Sequence, residues 1–274
     1  MTIIDIIALL ATGIFVGFTG GLLGVGGAFI MVPVQYMVYA DMGIPTDMAI
    51  KLAFGTNLLV ILPIAISGTW RHQKNKAVWW KVALIMGSCS LVGSFCGATI
   101  ATHLPGEVLK IAFGVIILLI SILMLTAKPP HIEDEARVNP WLLVALGLPI
   151  GIVTGILGIG GGILVIPVMT LVLRLKMHNA IATSLAMMIL TSTGGAIGYI
   201  LNGINAPDLP AYSIGYINLQ SWFLLTITSV VIAQFGAITT HRISANHLRY
   251  IFIAITFYVG IKMLGLFDWL GWPI

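Results

Sequence analysis

Charged side chains make up only 8% of these 274 residues, against about a quarter of an ordinary soluble domain. With 59% of the chain hydrophobic, a folded sphere would have too little polar surface to stay dissolved, and the composition fits lipid as the solvent. The two cysteines, Cys89 and Cys96, share one apolar run. On a helix they stand about 10 Å apart along the axis, too far for a disulfide, so they read as packing residues and no metal or redox site is expected. All nine carboxylates fall at the ends of apolar runs or between them, so none offers the buried acid of a proton relay. There is no carboxylate pair, H-E-x-x-H or hydroxyl nucleophile beside a histidine within a run, and no catalytic residue is assigned. A G-x-G-x-x-G frame begun at Gly24 or Gly158 would put Phe29 or Ile163 on its third glycine, and no GK[ST] follows. No nucleotide loop and no cofactor is therefore expected. The net charge of +4 has no soluble segment in which to form a basic domain, which argues against nucleic acid as a partner.

What the chain does have is apolar length. Hydrophobic spans run roughly over Met1–Ala40, Met48–Trp70, Trp79–Ala101, Val108–Thr126, Trp141–Leu173, Asn179–Leu201, Leu219–Thr240 and Leu248–Leu270. A helix of about 20 residues crosses a hydrocarbon core of about 30 Å. Backbone groups in lipid must satisfy one another, and the spans lack the period-2 alternation of barrel strands, so an all-α polytopic membrane protein is expected. No basic residue precedes Lys51, so the first span lacks the charged flank of a cleaved signal and is read as part of the mature protein.

The spans repeat. GLLGVGGAFIMVPV (Gly21–Val34) returns as GILGIGGGILVIPV (Gly155–Val168), with Gly24 matching Gly158 at an offset of 134 residues. Upstream, Gly13, Gly17 and Gly21 match Gly147, Gly151 and Gly155. Downstream, AFGTNL (Ala53–Leu58) meets AIATSL (Ala180–Leu185) at offset 127, and Gly97-Ala98 meets Gly236-Ala237 at offset 139. Two homologous halves are implied, 1–127 and 141–274, joined by a polar, proline-bearing linker over 128–140.

Glycines spaced by four are a common device for close helix packing in membranes, and Gly13, Gly17, Gly147 and Gly151 are read that way. The clusters Gly24, Gly26, Gly27 and Gly158, Gly160, Gly161 are denser, and each precedes a proline, Pro33 or Pro167. Glycine costs about 1 kcal/mol per helical position relative to alanine, so each cluster predicts a broken helix or hairpin. Such a break is tolerated at membrane depth where protein buries it or water lines it. The N–H groups it frees, at the start of a half-helix, suit an anion. Paired breaks related by internal repetition are the usual pointer to a transporter substrate site.

These paired glycine signatures, each closing on V-P-V or I-P-V and followed by G-T-N-L or A-T-S-L, resemble the TauE/SafE sulfite-exporter family over nearly the whole chain. The resemblance implies a secondary transporter of small sulfur-containing anions such as sulfite, sulfonates or sulfoacetate. It extends the candidate substrate site to Thr56, Asn57, Thr183 and Ser184, with Asn57 standing where serine is common. An anion channel or membrane anion sensor would share these features.

Charge sets the orientation. If every long span crosses once, the basic residues divide seven to six, with no bias. If each glycine segment is the tip of a hairpin, Arg71, Lys74, Lys76, Lys81, Lys128, Arg137, Arg174, Lys176, Arg242 and Arg249 lie on one side, with Lys51, Lys110 and Lys262 opposite. The basic-rich side is then the cytoplasm. Both termini would lie outside it, the linker inside, and the halves would be inverted-topology repeats in a cell membrane. His72, beside Arg71 at a span end, is the candidate for coupling. Gln35 and Gln234 are expected to crosslink helices.

Overall fold

The computed structural model describes residues 1–126, 139–240 and 243–264, so most of the expected linker lies outside the described residues. Among the described residues ten helices appear: α1 (Ile3–Leu23), α2 (Ala28–Asp41), α3 (Thr46–Lys74), α4 (Trp80–Thr102), α5 (Gly106–Thr126), α6 (Pro140–Leu157), α7 (Gly162–Pro167), α8 (Met177–Gly203), α9 (Leu219–Thr240) and α10 (Ala245–Met263). Helix α7 continues into a π-helical turn over Val168–Val172, and a two-stranded hairpin, β1 (Ser213–Ile214) and β2 (Ile217–Asn218), precedes α9. Seven helices among the described residues are long and apolar enough to cross a membrane. The chain is a polytopic α-helical membrane protein.

Each long glycine-bearing span is broken where the glycines predict. Helix α1 stops at Leu23, and Gly24, Gly26 and Gly27 take φ of 70°, 68° and 74°; α6 stops at Leu157, and Gly158, Gly160 and Gly161 take 63°, 66° and 106°. A Cβ makes this left-handed conformation costly, so the glycines are what let the chain turn back. It does turn back: the start of α1 and the end of α2 share a cleft lined by Met1, Thr2, Asp5, Asp41 and Met42. At that same end of the bundle, Asp47 at the start of α3 accepts a 2.8 Å hydrogen bond from Gly106 N–H at the start of α5.

The two sets of five helices pack through each other rather than side by side. Helix α1 lies along α9, and α6 lies along α4. The missing side chains of Gly13, Gly17 and Gly21 face the backbone of Leu225, Ser229 and Ala233; those of Gly147, Gly151 and Gly155 face Met86, Ser90 and Ser94, the same positions of the other set. Return contacts match as well, with Gly236 against Phe18 and Gly97 against Ile152. Ser90 also donates a 2.7 Å hydrogen bond to the Gly147 carbonyl. Helices α3 and α8 form the buried centre, with 78% of the apolar stretch of each inside the protein.

Gly151 shows what the small residues achieve, since a Cβ there would lie 2.5 Å from the Ser90 carbonyl oxygen. The obstacle is backbone and cannot swing away, so Gly151→Val, and Gly17→Val against Ser229, should each cost about 1–3 kcal/mol or more by overpacking. The midpoint of thermal unfolding in detergent should fall for both, while the lipid-facing substitution Ile111→Val leaves it unchanged. Equal midpoints for all three would show that α1/α9 and α4/α6 do not depend on close approach.

Candidate functional site

The two breaks meet. Helix α1 rises about 30 Å from its start and α6 about 27 Å at 1.5 Å per residue, and they end against one another: a Cβ on Gly162 would touch Val25 and the Gly24 carbonyl. Around this junction the released backbone is served from the opposite set of helices. Asn57 on α3 donates through Nδ2 to the Gly158 carbonyl, and Ser184 on α8 donates through Oγ to the Gly24 carbonyl at 2.8 Å. The matching residues therefore exchange matching bonds. Gly24 in turn backs onto Ile181 and Gly158 onto Phe54, again an equivalent pair.

The threonines beside them work one step away. Thr56 Oγ1 accepts from the N–H of Asn218, just ahead of α9, at 2.8 Å, and Thr183 Oγ1 accepts from the N–H of Trp79, the residue capping α4, at 3.0 Å. Thr56, Asn57, Thr183 and Ser184 are all fully buried and face protein rather than lipid. Each has a backbone partner, while Asn57 Oδ1 has none among the described residues.

At the breaks themselves, the N–H groups of Val25, Gly26, Gly27, Gly160 and Gly161 donate no backbone hydrogen bond among the described residues. They are the donors that a helix loses where it stops. Two apolar side chains that no sequence motif marks stand over them. Ile61 on α3 lies against both Gly26 and Gly160, and Met188 on α8 against both Gly26 and Gly162. Ile61 and Met188 are themselves equivalent at offset 127, which was readable, but nothing in either residue type announced contact with the glycines. Ser192 Oγ, also unforeseen, sits 2.9 Å from where a Gly160 Cβ would lie, buried and without a partner among the described residues.

His72 is not interfacial, as its place beside Arg71 suggested, but fully buried, with Nε2 3.4 Å from the Gly21 carbonyl. The equivalent position holds Tyr199, whose hydroxyl donates to the Gly155 carbonyl at 3.2 Å. Both halves thus brace the last turn before the break from the same place, one with a titratable ring and one with a phenol. Gln35 departs from expectation: its Oε1 accepts from Tyr39 of its own helix at 3.5 Å, and Nε2 reaches no partner among the described residues.

The model of the family described as Sulfite exporter TauE/SafE matches residues 9–263. The chain belongs to the TauE/SafE family. Among relatives of this TauE/SafE chain, a protein of Methanocaldococcus jannaschii named "Probable membrane transporter protein" is 32% identical over 261 residues, covering 93% of this chain and 94% of its own. A Haemophilus influenzae protein of the same name is 28% identical, covering 94% of this chain and 97% of its own. No solved structure matches. The chain is a membrane transporter of this family.

Because the bond from Ser184 crosses between the two sets, Ser184→Ala should lower stability by about 1 kcal/mol, the net worth of a typical hydrogen bond. Asn57→Ala should cost more, since it removes the partner of the Gly158 carbonyl and opens a cavity. Thermal unfolding in detergent with Cys89→Ser as a reference would measure both, and midpoints matching the reference would mean that these side chains do not hold the breaks.

Proposed function

We propose that this TauE/SafE member is a secondary transporter of small sulfur-containing anions, with sulfite, sulfonates and sulfoacetate as the class, and that its site is the junction of the two glycine breaks. The observation that carries the proposal is the meeting of two backbone breaks whose N–H groups are unspent, on the starts of the helices that succeed them. Such donors bind an oxyanion without a permanent positive charge that would hold it too tightly. Gly24, Gly26, Gly27, Gly158, Gly160 and Gly161 are the backbone part of this site. Thr56, Asn57, Thr183 and Ser184 fix its walls from the opposite helices. The sulfur chemistry comes from the family's description and not from the geometry.

The reciprocal packing of α1 on α9 and α6 on α4 supports a further reading, that residues 1–127 and 141–274 are repeats inserted with opposite orientation. Alternating access would then be the rocking of one hairpin against the other around a fixed midplane site. His72, which replaces a tyrosine against the last turn of α1, is the residue we assign to coupling.

Purified protein in liposomes should accumulate labelled sulfite or sulfoacetate with saturable kinetics against a gradient, which a channel would not do. Gly26→Ala and Gly160→Ala should reduce that flux at least about tenfold, because each puts a Cβ at φ > 0 and against Ile61 or Met188, while circular dichroism still reports native helix content. His72→Tyr should remove whatever pH dependence the flux shows. Wild-type flux in both glycine variants would make the breaks structural kinks.

Orientation has its own test in a background free of Cys89 and Cys96. Thr2→Cys and Glu107→Cys should react with an impermeant maleimide in intact cells, and Lys76→Cys and Lys176→Cys only after permeabilisation. The reverse pattern would overturn the placing of both termini outside the cytoplasm.

A further inference from the structure

We infer that Ile61 and Met188 form the gate of the anion site and set the size of anion it accepts, and that Ser192 supplies its side-chain donor; this rests on the transport reading above. Ile61 is the one side chain on α3 shown against both Gly26 and Gly160, with its Cδ1 2.9 Å from the Gly160 Cβ position. Met188 reaches the corresponding place from α8, with Sδ 2.9 Å from the Gly162 Cβ position and its methyl against Gly26. Both are completely buried on the two central helices. They pack on the side of Gly26, Gly160 and Gly162 where a side chain would otherwise stand, which makes them the apolar cover of the residues whose N–H groups are freed. An isoleucine and a methionine suit that task, because neither competes for the donors and methionine repacks easily around different shapes.

The hydroxyl beneath this plug is the second mark of a ligand site. Ser192 Oγ is 2.9 Å from the Gly160 Cβ position, fully buried, and unpartnered among the described residues. Thr191 and Thr170 return their proton to the preceding turn, to Met187 at 3.2 Å and Ile166 at 2.8 Å, whereas Thr69, Ser221 and Thr226 are, like Ser192, unpartnered among the described residues. Of these hydroxyls, Ser192 is the one set directly against a glycine of the two breaks. Buried polar side-chain atoms are nearly always partnered, and a hydroxyl facing a positive-φ glycine with a free N–H is placed to share an oxyanion oxygen with it. The equivalent residue of the first half is Ala65, so the site is polar on one side and apolar on the other.

Transport in liposomes and cysteine chemistry test this together. Ser192→Ala should raise the KM for sulfite and sulfoacetate about tenfold with little change in thermal stability, because no bond within the protein is lost. Ile61→Ala and Met188→Ala should raise kcat/KM for sulfoacetate relative to sulfite by at least about fivefold. In a background free of Cys89 and Cys96, I61C and M188C should react with the anionic sulfonate reagent MTSES, and sulfoacetate should slow the reaction. If wild-type protein transports but I61C and M188C stay unmodified and both alanine variants keep the wild-type substrate ratio, the gate assignment is overturned. An unchanged KM in Ser192→Ala removes Ser192 from the site. If wild-type protein moves no sulfur anion while MTSES still modifies I61C and M188C, the substrate class fails and the position of the gate stands.

Discussion

Hydrocarbon offers a broken backbone no hydrogen-bond partner, and the rest of this protein is arranged around that constraint. A helix that stops at membrane depth releases carbonyls at its end and N–H groups at the start of the next helix. Here the carbonyls of Gly24 and Gly158 are satisfied by Ser184 and Asn57, each from the other set of helices. The carbonyls one turn earlier, at Gly21 and Gly155, meet His72 and Tyr199. These four acceptors at the breaks are thus covered, whereas several of the donors are not. The freed N–H groups of Val25, Gly26, Gly27, Gly160 and Gly161 are the ones that the proposed anion site would use in place of arginine or lysine.

Because each break is held by residues of the other set, neither set completes its own fold. The glycines of α1 need α9 as a surface, and those of α6 need α4. Close backbone approach, not hydrophobicity, holds such contacts together, since lipid tails are as apolar as leucine. The packing thereby ties the geometry of the junction to the seams on both flanks.

Much of this was legible in the sequence. The apolar helices, the two breaks and the close packing of Gly13, Gly17, Gly147 and Gly151 follow from apolar length, glycine spacing and the conformational cost of glycine, all of which are local properties. The pairing of Asn57 with Gly158 and of Ser184 with Gly24 was not legible, because it depends on which helix of one set lies against which helix of the other. Thr56 and Thr183 illustrate the same limit: their equivalence marked them, but their work as acceptors for Asn218 and Trp79 depends on helix starts far along the chain. His72 looked interfacial because Arg71 and Lys74 flank it, yet a helix turns by about 100° per residue, so its neighbours face water while the ring points into the bundle. Ile61 and Met188 share an offset of 127 but, like Ser192, are residue types ordinary in buried apolar helices, so nothing marked them as neighbours of the glycines.

The positions where the two sets differ are therefore the informative ones. Symmetric positions such as Gly24 and Gly158 serve what both halves need, a break that is closed by its partner. Ser192 against Ala65, and His72 against Tyr199, break the equivalence inside the same small region. A pseudo-symmetric carrier has two related ends that must exchange access, but its substrate has no such symmetry. One hydroxyl, Ser192, stands on one side only, and one histidine, His72 on α3, meets the last turn of α1 where Tyr199 on α8 meets the last turn of α6. If the chain alternates access as proposed, identical halves would leave its two access states close in energy, and these two differences are where the sequence departs from that equality.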